Sequence, residues 1–100
     1  MVKEIKDEEF ENIIKENDRV VIDCYASWCG PCKMLSPIID SLSSELSEIK
    51  FYKINVDESS LVTSKYEIMS IPTLLVFEKG ELKDRIVGFK SKSELKDLLN

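Results

Sequence analysis

The chain has 100 residues, 43% of them hydrophobic and 33% charged, with a formal net charge of -5. This size and balance describe one folded domain over residues 1–100 and exclude a disordered chain. The acidic excess argues against nucleic acid or an anionic membrane surface as partner, and apolar runs such as Ile71–Phe77 are far too short to span a bilayer.

Val2–Ile5 reads as a short edge strand. Asp7 resembles an N-cap, with acidic residues in the first turn of a helix that carries Phe10, Ile13 and Ile14 at helical spacing and runs to about Glu16. After the Asn17-Asp18 turn, Val20–Tyr25 is β-branched and mostly apolar, which suits a strand buried on both faces. Ala26–Cys32 forms a loop leading into a helix, where Met34, Leu35, Ile38, Ile39, Leu42 and Leu46 keep one stripe. Pro37 inside that stripe predicts a kink. Ile49–Val56 alternates as a strand, and Ser59 or Ser60 caps a short helix through about Tyr66.

Thr73–Phe77 is a second apolar strand, Glu78–Glu81 a hairpin turn, and Lys83–Val87 the returning strand. A last helix follows, with Leu95, Leu98 and Leu99 as its expected buried stripe. The order βαβαβαββα predicts an α/β domain: a mixed central β-sheet flanked by helices on both faces. The two internal helical crossovers imply parallel pairing, and the hairpin adds an antiparallel strand.

The chemistry-bearing residues are few. There is no histidine, so the commonest general base and the commonest metal ligand are both missing. The three cysteines are Cys24, Cys29 and Cys32. An odd count, behind an N-terminus too charged for a signal peptide, argues against a secreted disulfide framework and leads us to expect a cytoplasmic location.

Cys29 and Cys32 are separated by Gly30 and Pro31, at the junction of a buried strand and a helix. The unpaired amides and dipole at a helix start stabilise a thiolate, so Cys29 is the candidate nucleophile. Cys32, at i+3, lies roughly 5–6 Å away between Cβ atoms, close enough for a small adjustment to close a disulfide. Pro31 suits the first helical turn, and Gly30 lets another backbone approach closely.

Two other readings compete with redox chemistry. A structural disulfide closing so short a loop contributes only roughly 2 kcal/mol, and a reducing cytosol opposes it. A zinc site usually requires four ligands, and here one CxxC stands without a second pair or a histidine. No metal is therefore expected.

Trp28-Cys29-Gly30-Pro31-Cys32-Lys33 resembles the active-site sequence of the thioredoxin family. The resemblance covers nearly the whole chain: Val21-Ile22-Asp23, Pro37, Lys53–Asp57, Ile71–Leu74, Phe77–Gly80 and Val87-Gly88 all follow in the family's order. It implies a thioredoxin fold and a protein dithiol–disulfide oxidoreductase without a bound cofactor. In that mechanism Cys29 attacks a substrate disulfide and Cys32 resolves the mixed disulfide.

The resemblance also implies that Asp23, buried below the sulfurs with a raised pKa, exchanges protons with Cys32, and that Lys53 balances Asp23. A plain Asp23–Lys53 ion pair is the alternative. It further implies a cis Ile71-Pro72 bond, and a docking surface of Trp28, Gly30, Pro31, Ile71, Pro72, Val87 and Gly88 for extended segments of disulfide-containing proteins. A monomer recharged by a thioredoxin reductase is expected. The rivals are a disulfide isomerase-like domain, which usually has histidine where Pro31 stands, and a thioredoxin-fold binding or scaffold module.

Four positions depart from the family pattern. Cys24 and Tyr25 stand where aromatic residues, tryptophan at the second, are usual, and Glu67 and Ser70 replace small glycines. Alternation puts Cys24 on the face opposite Asp23, as a small buried residue, while Met69 is expected to be exposed.

Overall fold

In the computed structural model, which describes residues 2–100, the elements run β1 (Lys3–Glu4), α1 (Asp7–Glu16), β2 (Arg19–Tyr25), α2 (Gly30–Glu45), β3 (Lys50–Asn55), a 3₁₀ turn (Val56–Glu58), α3 (Ser60–Lys65), β4 (Thr73–Glu78), β5 (Glu81–Val87) and α4 (Lys92–Leu99). The sheet order is β1-β3-β2-β4-β5. β2 is the central strand, and five of its seven residues are buried, because it is covered on both faces.

Alternation along the strands divides the core in two. Val21, Leu74, Val76 and Ile86 pack under Leu35, Ile39 and Leu42 of α2 and Leu95 and Leu99 of α4. Val20, Ile22, Cys24, Ile54, Leu75 and Phe77 face the opposite way, against Phe10 and Ile14 of α1 and Val62 of α3. There Phe10, Phe77 and Tyr66 form a triangle with centroids 5.2 to 5.7 Å apart. Each large side chain so buried contributes about 1.5–3 kcal/mol of transfer free energy. Leu98, expected in the buried stripe, is instead 51% exposed, since the buried side of α4 is formed by Leu95 and Leu99.

The parallel pairing inferred from both crossovers holds for only part of the sheet. β1, β3 and β2 run parallel, but β4 runs antiparallel to β2. Six residues of α3 advance about 9 Å, whereas six residues of strand span about 20 Å. The segment after β3 stays at one end of the sheet and does not carry the chain back along it. β4 starts where β3 ends, with Cys24 in register with both Ile54 and Thr73. Thus β4 enters the sheet beside the end of β2 that leads to the cysteines.

Local chemistry accounts for the ends. Lys79 and Gly80 both have positive φ (52° and 82°), as a two-residue hairpin turn requires. Asp7 is not the N-cap of α1; that position is Lys6, whose N–H donates to Glu9 Oε1 (3.0 Å). The Asp7 carboxylate accepts the N–H groups of Leu61 and Val62 (3.0 and 3.1 Å), so it caps α3 across the fold. Ser59 is the N-cap residue of α3, but its side chain makes no capping bond. α2 continues through Pro37 to Glu45, and among the described residues no helix is long and apolar enough to cross a membrane.

Candidate functional site

The loop after β2 is short because the helix begins almost at once. Cys29 N–H donates to Ala26 O (3.2 Å), and Cys29 is itself the N-cap of α2, with Pro31 in the first turn. Cys29 Sγ accepts the N–H of Cys32 (3.2 Å), one of the amides that a helix start leaves without an internal partner. The two cysteines form a disulfide with Cα atoms 5.3 Å apart. Both are buried, in a small cluster with Ala26, against which Tyr25, Val56 and Ile71 pack.

Behind Cys32 lies a cavity of about 240 Å³ lined by Asp23, Tyr25, Ala26, Ser27, Cys32, Lys33, Ser36 and Lys53. Asp23 is 4% exposed, and its Oδ1 has no hydrogen-bond partner. Burial pushes its pKa up to about 7, against the attraction of Lys53 and with help from the negative charge of Asp40. Lys53 lies opposite Asp23 in register. The direct Asp23–Lys53 ion pair weighed from sequence is nevertheless not among the ion pairs of the described residues. Its ammonium stands instead 5.6 Å from the centre of the Tyr25 ring.

Around the disulfide runs an uneven apolar rim. Trp28 is 69% exposed, and its Nε1 donates to Asp57 Oδ2 (2.8 Å). Gly30 and Pro31 are exposed, and a Cβ built on Gly30 meets nothing within 4 Å. The Ile71-Pro72 bond is cis. Ile71 is half-buried against the cysteines, while Pro72 is buried and so shapes the rim from below. Gly88, at φ 88°, donates its N–H to Pro72 O (2.8 Å), and Val87 is in register with Thr73. These contacts draw Val87 and Gly88 to the rim from the far hairpin.

Met34 and Met69, at 62% and 94% exposed, add apolar surface near it in sequence. Cys24 is fully buried among aliphatic and aromatic side chains, and burial raises the pKa of its thiol. Tyr25 packs against the cysteine cluster, as its place just before the active-site loop suggests, whereas sequence reasoning did not anticipate Asp57 and Glu4 around this site. Asp57 carried one clue, as an acceptor a few residues past the strand that bears Lys53. Glu4 carried none, because its place depends on the register of β1.

The thioredoxin family model matches residues 1–100. A thioredoxin of Rickettsia prowazekii is 46% identical, with 100% of this chain and 97% of the relative covered. One from Mycoplasmoides gallisepticum is 43% identical, with 91% of each covered. Among solved structures, a Plasmodium falciparum thioredoxin superposes with a TM-score of 0.92 at 39% identity, over 98% of this chain and 96% of that one.

Proposed function

Because this chain belongs to the thioredoxin family, we propose that its dithiol–disulfide oxidoreductase activity runs through Cys29 as attacking thiol and Cys32 as resolving thiol. In the reduced protein the Cys29 thiolate attacks one sulfur of a substrate disulfide. A Cys29–substrate bond forms, and the substrate's other sulfur leaves as a thiolate that takes up a proton. Cys32 then loses its proton and attacks Cys29. The Cys29–Cys32 disulfide forms, the second substrate thiol departs, and two electrons have moved from protein to substrate.

One observation carries this assignment of roles: Cys29 Sγ, at the N-terminus of α2, accepts the Cys32 amide. An N–H aimed at that sulfur favours its anionic form. Asp23 supports the second step, since its carboxyl lines the same cavity as Cys32 and its pKa of about 7 lets it exchange a proton there, directly or through water. Lys53, drawn to the Tyr25 ring, balances Asp23 through space.

The rim of Trp28, Gly30, Pro31, Ile71, Val87 and Gly88, shaped by Pro72, receives an extended segment of the substrate protein. The two sulfurs store the electron pair, so the cycle needs no bound cofactor, and a thioredoxin reductase resupplies it. The protein acts as a monomer in the cytoplasm. The Pro31 between the cysteines and the unpartnered Asp23 favour a reductant over an isomerase or a scaffold.

Reduction of insulin disulfides driven by a dithiol tests the assignment. Cys29→Ser abolishes turnover, and Cys32→Ser accumulates a mixed disulfide on Cys29. Turnover by Cys29→Ser at the wild-type rate would remove Cys29 as nucleophile. Unchanged partner capture by the double serine variant would favour the scaffold.

A further inference from the structure

Glu4, Lys53 and Asp23 occupy one row across three adjacent strands. Glu4 is in register with Lys53, and Lys53 with Asp23. Residues aligned in this way present their side chains on one face of the sheet, here the face covered by α2. A buried carboxylate without a partner is costly, so the adjacent ammonium ought to pair with it. It does not, and Asp23 Oδ1 stays unpartnered.

The reason lies two residues along β2. Tyr25 points to the same face as Asp23, and its hydroxyl donates to Glu4 Oε1. Its ring lies 5.6 Å from Lys53 Nζ, within the range of a cation–π attraction. Tyr25, Lys53 and Asp23 line one cavity. We propose that Tyr25 is a positioning residue: anchored on Glu4, its ring holds the Lys53 ammonium at the cavity mouth and away from the Asp23 carboxylate. This assignment deepens the proton-exchange role given to Asp23 above and rests on it for its catalytic meaning.

The consequence is electrostatic. A direct Lys53–Asp23 pair would keep Asp23 ionised at neutral pH, where it could accept a proton but not hold one. With the ammonium held apart, Asp23 keeps both forms available near neutrality. The other groups facing Asp23 are few. α2 contributes Asp40, Cys32 and Lys33, and β4 sets Leu74 opposite it. Glu4 and Glu58 both act on the Tyr25 hydroxyl, and with burial they keep it protonated as a donor.

The test follows the Asp23 carboxyl directly by carbon NMR titration, alongside the pH profile of insulin reduction. In Tyr25→Leu the ammonium is released onto Asp23, and the Asp23 titration midpoint falls by about one pH unit. Tyr25→Phe, which keeps the ring but frees it from Glu4, shifts it the same way by less, and it carries the test should Tyr25→Leu not fold. With Lys53→Met already in place, Tyr25→Leu leaves the midpoint where Lys53→Met alone puts it. An unmoved midpoint in the folded Tyr25 variants overturns the proposal, as does an equal shift without Lys53. If the midpoint moves while the kinetic profile stays fixed, the positioning stands and the proton-exchange role of Asp23 falls.

Discussion

Trp28 Nε1 donates to Asp57 Oδ2 at 2.8 Å, which ties the residue before Cys29 to the 3₁₀ turn after β3. The indole is otherwise largely exposed, so this single bond fixes how its apolar face is presented beside the disulfide. A substrate docking there meets an oriented ring instead of a mobile one, and loses less entropy on binding.

Asp57→Ala therefore raises KM for insulin reduction roughly fivefold, the equivalent of one such hydrogen bond, with kcat little changed. Steady-state kinetics at fixed pH separate the two constants. A fall in kcat with constant KM would contradict a docking role for the bond.

Asp23 makes stability depend on pH with a definite sign. Its pKa in the folded protein, about 7, lies well above the 3.8 of an ordinary aspartate. Between these values the folded state binds more protons than the unfolded state, so stability falls as pH rises from about 4 to 7 and then levels off. Asp23→Asn removes this penalty. The oxidised variant is more stable than wild type by about 2–4 kcal/mol at pH 8 and nearly equal to it at pH 4. Urea unfolding at the two pH values checks this, and in the same variant the release of the mixed disulfide slows.

Cys24 is a packing residue with a thiol held protonated by burial. In the reduced native protein at neutral pH, an alkylating reagent consumes the Cys29 thiol first, and Cys24 reacts only after denaturation. Cys24→Ala costs about 1–2 kcal/mol through the small cavity it leaves and does not alter turnover. Mass spectrometry of the labelled protein reads the first outcome, and denaturant titration the second.

Glu67 has a positive φ of 49°, a region costly for any residue with a Cβ. Glu67→Gly relieves that cost and, after the entropy that glycine adds to the unfolded chain, stabilises the protein by about 0.5–1 kcal/mol. Thermal unfolding of the variant checks the sign. A lower Tm would mean that the Glu67 side chain makes a compensating contact.

Much of this arrangement is written locally in the chain. The β-branched run of β2, the Trp28–Lys33 sequence and the hairpin at Gly80 each specify their own conformation, so the element order and the paired cysteines can be read directly. What escapes such reading depends on distances across the fold. Asp7 has the composition of a cap, and it is one, but for a helix more than 50 residues away, since its carboxylate meets Leu61 and Val62. The antiparallel direction of β4 shows only in the register, where Cys24 lies opposite both Ile54 and Thr73. The row of Glu4, Lys53 and Asp23 exists only once three strands are in register, and the hold of Tyr25 on Lys53 only once that row exists.

The central position of β2 bears on how a partner tells the charged carrier from the spent one. The strand feeding the sulfurs is clamped by neighbours on both edges and by hydrophobic layers above and below, so losing or gaining two electrons has little scaffold to bend. On the proposed mechanism, discrimination is then made at the tip of α2, by whatever reads a few atoms around Cys29. A reductase and a client protein would compete for that one small patch, and the traffic between them would be decided by contact chemistry there.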